Sequence, residues 1–324
     1  MRHSTWALAL LVTLLAVVSA FTLGRASPPA HASSTIDLCG VLPTSVPIDR
    51  DARLVCDVEC QQLDNLPCIN FVANNIKLSL NGFKMTGPSN TPSLSNCATT
   101  ENFFPGDGVG ATGRTDIVIE GPGVIQRFKR HGIALNGVQK AVVKKLVSHQ
   151  NCFSGVWLVN ATRETLLEEV VSVKNSAASS VFPCGGTCIT NSHDNRIRRS
   201  EFAGNGSVAA GPQGFPNDFG VGLVGNSSGN IIEENGIGGN INGILLVPAA
   251  TGSPVGNLIR KNVIAGNPPI QVSASAQPDV VGSDIRDASG NATNKFKENL
   301  CLTYIGTNPP PCPNVPQFAG HQNN

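Results

Sequence analysis

Arg127, Lys129, Arg130 and His131 form the densest cationic run of the chain, four basic side chains within five residues. Such a run suits one kind of chemistry. Guanidinium and ammonium groups neutralise the carboxylate of a docked anion, and a base beside them removes the proton from the neighbouring carbon. The plainer reading is a solvated corner. Trp157 presents either a ring face for stacking on a sugar or a side chain tucked under a neighbouring loop. Phe182, Phe215 and Asp218 lie in two long insertions and complete the candidate binding edge. His131, His149 and His193, with Asp107 or Asp218, are metal-ligand types, but their spacing is not diagnostic. With two methionines in total, one of them the initiator, a methionine-rich copper site is excluded. None of the ten cysteines sits in a CxxC pair, which speaks against zinc.

These residues hang on a repeat. An eleven-residue pattern recurs as AVVKKLVSHQN (141–151), TLLEEVVSVKN (165–175), NRIRRSEFAGN (195–205), NIIEENGIGGN (230–240) and NLIRKNVIAGN (257–267). Each copy follows a Gly-apolar-x-apolar segment, such as GIAL (132–135), GVWL (155–158) or GILL (243–246). Alternation over so few residues is a strand signal. One cycle spans 23 residues from Gly132 to Gly155, and again from Gly220 to Gly243. That period, with two or three short strands per cycle, describes a coil of a parallel β-solenoid.

Stacked coils place equivalent residues in ladders. Asn151, Asn175, Asn205, Asn240 and Asn267 close the five units. Asn tolerates the left-handed corner, and its amide can bond to the Asn above and below. The charged pair inverts its sign from copy to copy, giving Lys144, Glu168, Arg198, Glu233 and Arg260 in alternation, with Glu120 continuing the series. Exposed pairs contribute only about 0.2–1 kcal/mol each, so this ladder reads as register control. Where the repeat is interrupted, at 88–107, 176–185 and 206–219, the loops fall on one edge of the solenoid. That edge carries the basic run.

Residues 1–32 have the basic start, apolar run and small-residue exit of a signal peptide, with cleavage after Ala32 or Ala20. No later stretch reaches the roughly 18 apolar residues of a membrane span. Ten cysteines agree with an oxidising compartment, secreted or periplasmic. Cys301 and Cys312 are the best local disulfide guess. Asn160, Asn205, Asn226 and Asn291 head Asn-x-Ser/Thr triplets, relevant where the source glycosylates exported chains. A net charge of +1 and a sequence pI near 7.6 supply no global field for nucleic acid or anionic membrane.

LSLNGFKMTG (78–87), GDGVGATGRTDIVIEGPGVIQRF (106–128) and GIALNG (132–137) resemble the opening coils of right-handed parallel β-helix proteins of the pectate-lyase-like superfamily. The resemblance implies an all-β, right-handed parallel β-helix over roughly residues 54 to 300. The expected organisation is a single domain over 33–324, with an N-terminal cap at 36–75 and regular coils at 76–272. A disulfide-tied C-terminal cap and tail follow at 273–324. The superfold hosts several functions. The resemblance implies an acidic polysaccharide as partner, with lyase- or epimerase-like chemistry rather than hydrolysis, and the expected state is a monomer. The alternative is a non-catalytic surface or structural solenoid. Calcium is the cofactor such lyases use, but no carboxylate set for it can be carried over. Ser192-His193-Asp194-Asn195 matches only the His-Asp of the epimerase motif and falls at an ordinary coil corner.

Overall fold

Broken apolar pairs fold as the repeat dictates, each eleven-residue unit giving two three-residue strands around a bend. In NIIEENGIGGN these are Ile231–Glu233 and Gly236–Gly238. The structure, a computed structural model, describes residues 34–61, 66–88, 106–175, 185–206, 219–267, 283–290, 292–306 and 312. No α-helix occurs among them. The first strands of successive units stack in parallel as one column, the second strands as another, and the Gly-apolar strands as a third. We call these sheets one, two and three. Sheets one and two merge into an 18-stranded sheet and sheet three has ten strands. The join is the long strand Ala52–Cys60, which pairs with Lys77–Ser79 and then with Lys84–Thr86.

Parallel stacking extends beyond the expected regular coils. Ile36–Leu42 already pairs with Ala52–Cys60, and Ser283–Asp287 still pairs with Tyr304–Gly306. Disulfides Cys39–Cys56, Cys60–Cys68 and Cys301–Cys312 hold the two ends. The signal segment lies outside the described residues.

Inside, each sheet contributes an aliphatic column. Ile119, Val143, Leu167, Ile197, Ile232 and Ile259 line sheet one and are fully buried. Burying one such side chain stabilises by about 1.5–3 kcal/mol. In sheet two the column is interrupted by Ser148 and Ser172, whose hydroxyls donate to the carbonyls of Gly155 (2.9 Å) and Gly186 (2.7 Å). Glycine is required opposite them. A Cβ on Gly155 would strike the Ser172 hydroxyl and approach the Gly186 carbonyl to 2.8 Å.

Asn151, Asn175, Asn205, Asn240 and Asn267 stack as expected, each Nδ2 donating to the next Oδ1 at 2.9–3.2 Å. The same Oδ1 also accepts the preceding Asn backbone N–H. The column ends on Asp284, whose other carboxylate oxygen accepts the N–H groups of Leu302 and Thr303. Two further ladders run beside it, Asn195–Asn230–Asn257–Asn294 and Asn235–Asn262–Asn299, every step at 3.0 Å. The corner geometry differs from expectation. Left-handed φ falls on the residue before each corner Asn, at Gln150 (53°), Lys174 (53°), Gly204 (58°), Gly239 (65°) and Gly266 (70°). The Asn is turned inward by that residue and is free to be a ladder rung. Its burial closes Asn205 to modification once the chain is folded.

The charged column is in the expected register, with Glu120, Lys144, Glu168, Arg198, Glu233 and Arg260 opposite one another in turn. Ion pairs cluster around the three glutamates. Glu120 meets Lys77 (3.0 Å) and Lys144 (3.2 Å), Glu168 meets Arg198 (2.7 Å) and Arg199, and Glu233 meets Arg260 (2.6 Å) and Arg196. Burial alone would raise the Glu233 pKa, but hydrogen bonds and charge from Arg260 and Arg196 leave it lowered.

The two kinds of ladder differ in weight. Asn205→Ala strands the buried N–H groups of Asn175, and each unsatisfied group costs about 1–3 kcal/mol. Chemical denaturation should show a loss of at least about 2 kcal/mol for Asn205→Ala, against under about 1 kcal/mol for Glu169→Gln at the exposed corner.

Candidate functional site

Sheet two turns into sheet three at the corner formed by Arg127, Gln150 and Lys174. The backbone N–H of Arg127 donates to His149, that of Gln150 to Val173 and that of Lys174 to Ala203, so the three stack on consecutive coils. All three have left-handed φ, of 59°, 53° and 53°. Coils are about 4.8 Å apart, and Arg127 Nε reaches Gln150 Oε1 at 3.4 Å. His149 lies beside them on the outer face of sheet two, half-buried. Burial and the charges of Lys174 and Arg127 lower its pKa. Among the described residues, no carboxylate forms an ion pair with Arg127, Lys129 or Lys174. On the later coils the outer face of sheet two holds a shallow groove of about 700 Å³, which Arg127, Lys129 and Lys174 do not line. Its floor is Ala203, Gly236, Gly238 and Ala265, with Glu201 beside them and Glu169, Arg199 and Glu234 on the rim toward sheet one.

Arg130 and His131 do not share this exposure. Each is 2% exposed, so the basic run is split, with Arg127 and the exposed Lys129 left at the surface. The cause is the turn at residues 128–132, which carries Phe128 into the core and His131 against Trp157. His131 and Trp157 stack at 4.6 Å between ring centres. His131 Nδ1 faces the Ser154 hydroxyl at 2.5 Å and accepts the Ser154 N–H at 3.3 Å. An acceptor Nδ1 belongs to a neutral ring protonated on Nε2. Burial and the Arg130 charge hold the His131 pKa well below the usual histidine value. Asp107, also buried, accepts the His131 backbone N–H at 3.0 Å. Burial outweighs the Arg130 charge and that N–H, and pushes the Asp107 pKa up to about 6.

The family model for the right handed beta helix region matches residues 81–285. The chain belongs to this right-handed β-helix family. Among solved structures this β-helix is similar to pectate lyase Pel9A, at 12% identity and TM-score 0.46, covering 85% of this chain and 68% of that one. It is also similar to the A-module of the Azotobacter vinelandii mannuronan C-5 epimerase AlgE6, at 9% identity and TM-score 0.40, covering 85% and 87%. Against the Dettilon tailspike protein gp208 the values are 13% and 0.43, and the chain spans 61% of the tailspike's length. A likeness at this level is one of chain path and carries no activity across. No curated protein matches the sequence.

Other expected site residues of the β-helix fall elsewhere. Trp157 is 8% exposed, its indole N–H donates to Thr190 Oγ1 at 3.2 Å, and it packs with Ala134, Cys188, Phe219 and Leu245 in a second apolar cluster. From Ala134 to Leu245 the outward positions of sheet three are thus covered rather than open to a sugar. His193 and Asp194 pair at 2.8 Å on the opposite corner, between sheets three and one. Phe182, Phe215 and Asp218 lie outside the described residues. Among the described residues no three His, Cys, Asp or Glu side chains are grouped to hold a metal ion. Lys174 was not among the expected edge residues; its signal was its place one residue before a corner Asn.

The buried pair gives a pH signature. The Asp107 pKa is raised on folding, so its contribution to stability is complete below 3.8 and lost as pH rises through about 6. The His131 pKa is lowered, so its contribution is complete above 6.5 and lost as pH falls below that value. The two slopes oppose each other between pH 4 and 6. Urea unfolding across this range should give stability rising with pH in Asp107→Asn and falling with pH in His131→Gln, each by up to about 1.4 kcal/mol per pH unit relative to the parent.

Proposed function

We propose that this chain is an exported β-helix protein that binds an extracellular acidic polysaccharide along the corner and outer face of sheet two. The observation that carries this reading is the contrast between two cation columns of the same solenoid. Lys77, Lys144, Arg196, Arg198 and Arg260 are matched to glutamates, whereas Arg127 and Lys174, two coils apart on one corner, and the exposed Lys129 form no ion pair among the described residues. Unmatched cations repeated along a corner suit a polymer that carries carboxylates at regular intervals. The disulfides support export, because such bonds persist in oxidising compartments.

Binding, rather than turnover, is what the arrangement supports best. His149 is nevertheless positioned for a chemical role. Its lowered pKa leaves the ring neutral at pH 7, and cations on both sides would neutralise a uronate carboxylate while the ring takes the adjacent proton. Hydrolysis is the weaker reading, since no paired carboxylates border the corner among the described residues.

Affinity measurements on alginate and polygalacturonate test the proposal. Arg127→Gln combined with Lys174→Gln should weaken binding at least tenfold and flatten its salt dependence, leaving the melting temperature within a few degrees. Unchanged affinity in the folded double variant would remove the corner as the site. Absorbance of unsaturated products and epimer ratio by NMR, compared between the parent and His149→Gln, report turnover separately.

A further inference from the structure

A second pocket, sharing no residue with that corner, lies on the outer face of sheet three at its first coils. Asn70, on the strand Ile69–Phe71, is opposite Gly110, on the strand Val109–Thr112. A hollow of about 230 Å³ lies there, walled by Leu66, Pro67 and Val72 and bounded by Thr112 and Arg114. Gly110 lets the Pro67 ring close one side of it, since a Cβ at Gly110 would come within 2.6 Å of that ring. Leu66 and Val72 remain 47% and 38% exposed, so apolar surface is left open at the rim.

The polar groups around this hollow are all uncommitted. Neither the Asn70 amide nor the Thr112 hydroxyl makes a hydrogen bond among the described residues, although neighbouring Asn74 and Thr115 are bonded to each other at 3.0 Å. Arg114 Nε is buried without a hydrogen-bond partner. Asp116, the nearest carboxylate in sequence, forms no ion pair with Arg114 and accepts from Thr115 Oγ1 at 2.7 Å. A guanidinium left without a carboxylate beside an open hollow is a fork for one, since Arg binds carboxylates in two-point geometry. An amide and a hydroxyl recognise hydroxyl groups, and a proline–leucine–valine wall takes the apolar face of a ring.

We propose that this pocket binds a single carboxylate-bearing sugar residue, a uronate, at a site separate from the sheet-two corner. Arg114 takes the carboxylate, Asn70 and Thr112 take ring hydroxyls, and Pro67 and Val72 pack against the ring. The volume admits one ring and not a run of them, so the site reads a chain end or a free monosaccharide.

The test uses the mature protein labelled with nitrogen-15 and three probes: methyl glucuronide, methyl glucoside and acetate. The glucuronide should shift the amide signals of Asn70, Gly110 and Thr112 and saturate, with glucoside and acetate at least tenfold weaker. Arg114→Gln should bring the glucuronide down to the glucoside's level. Thr112→Val, at an exposed strand position that accepts a β-branched residue, should weaken it severalfold and serves if the first variant does not fold. Arg127→Gln with Lys174→Gln should leave glucuronide binding unchanged, which separates this pocket from the corner. Shifts that are absent or lie elsewhere, or glucuronide affinity unaltered in a folded Arg114 or Thr112 variant, overturn the proposal.

Discussion

Parallel register between successive coils is the constraint from which the other features descend, and buried amides set it. A column of Asn side chains can donate downward and accept upward only if each rung lies one coil from the next. Slipping a coil by one residue would turn every aliphatic column outward and leave the amides of Asn175 and Asn205 buried without partners. The Asn ladders therefore penalise misregister where aliphatic side chains alone would tolerate it. Asp284 closes the longest ladder because a carboxylate accepts without having to donate, so the column needs no further rung.

The same register sorts the charged residues. On sheet one the alternation of sign is spent on pairing, and the glutamates hold their cations in place. At the corner of sheets two and three the column runs Arg127, Gln150, Lys174, Gly204, with no carboxylate at any rung. Both columns repeat at the same coil spacing, one along a strand and one along a left-handed corner, and they differ in which side chains fill the rungs. Cations at one column stabilise the fold, and those at the other are left over for something outside it.

Much of this was legible in the sequence, because stacking makes period equivalent to contact. The order of coils, the longest Asn ladder and the facing of Lys144 with Glu168 follow directly from the spacing of the repeats. What the spacing hid was direction. The left-handed residue precedes the corner Asn, and sequence alone did not separate the two because Asn itself tolerates that conformation. Arg130 and His131 are adjacent to exposed Lys129 in the chain, but they sit on the turn that carries Phe128 inward, which no charge pattern announces. Trp157 alternates outward from the core as expected and is nonetheless covered, because sheet three has apolar neighbours above its own face. The ladders at Asn195 and Asn235 were visible in NRIRRSEFAGN and NIIEENGIGGN but appear in fewer copies.

Alternating sign along the sheet-one column gives the solenoid a parity. From Glu120 to Arg260 each coil differs in charge from its neighbours and matches the coil two away, so the repeating unit of this stretch is a pair of coils of opposite sign; the alternation stops where Arg260 faces Lys297. Within the stretch, removing or duplicating one coil would set glutamate against glutamate or cation against cation at the junction. Removing or duplicating two would preserve the alternation of sign. Length change in such a chain is therefore quantised, and its history of growth is expected to be written in steps of two.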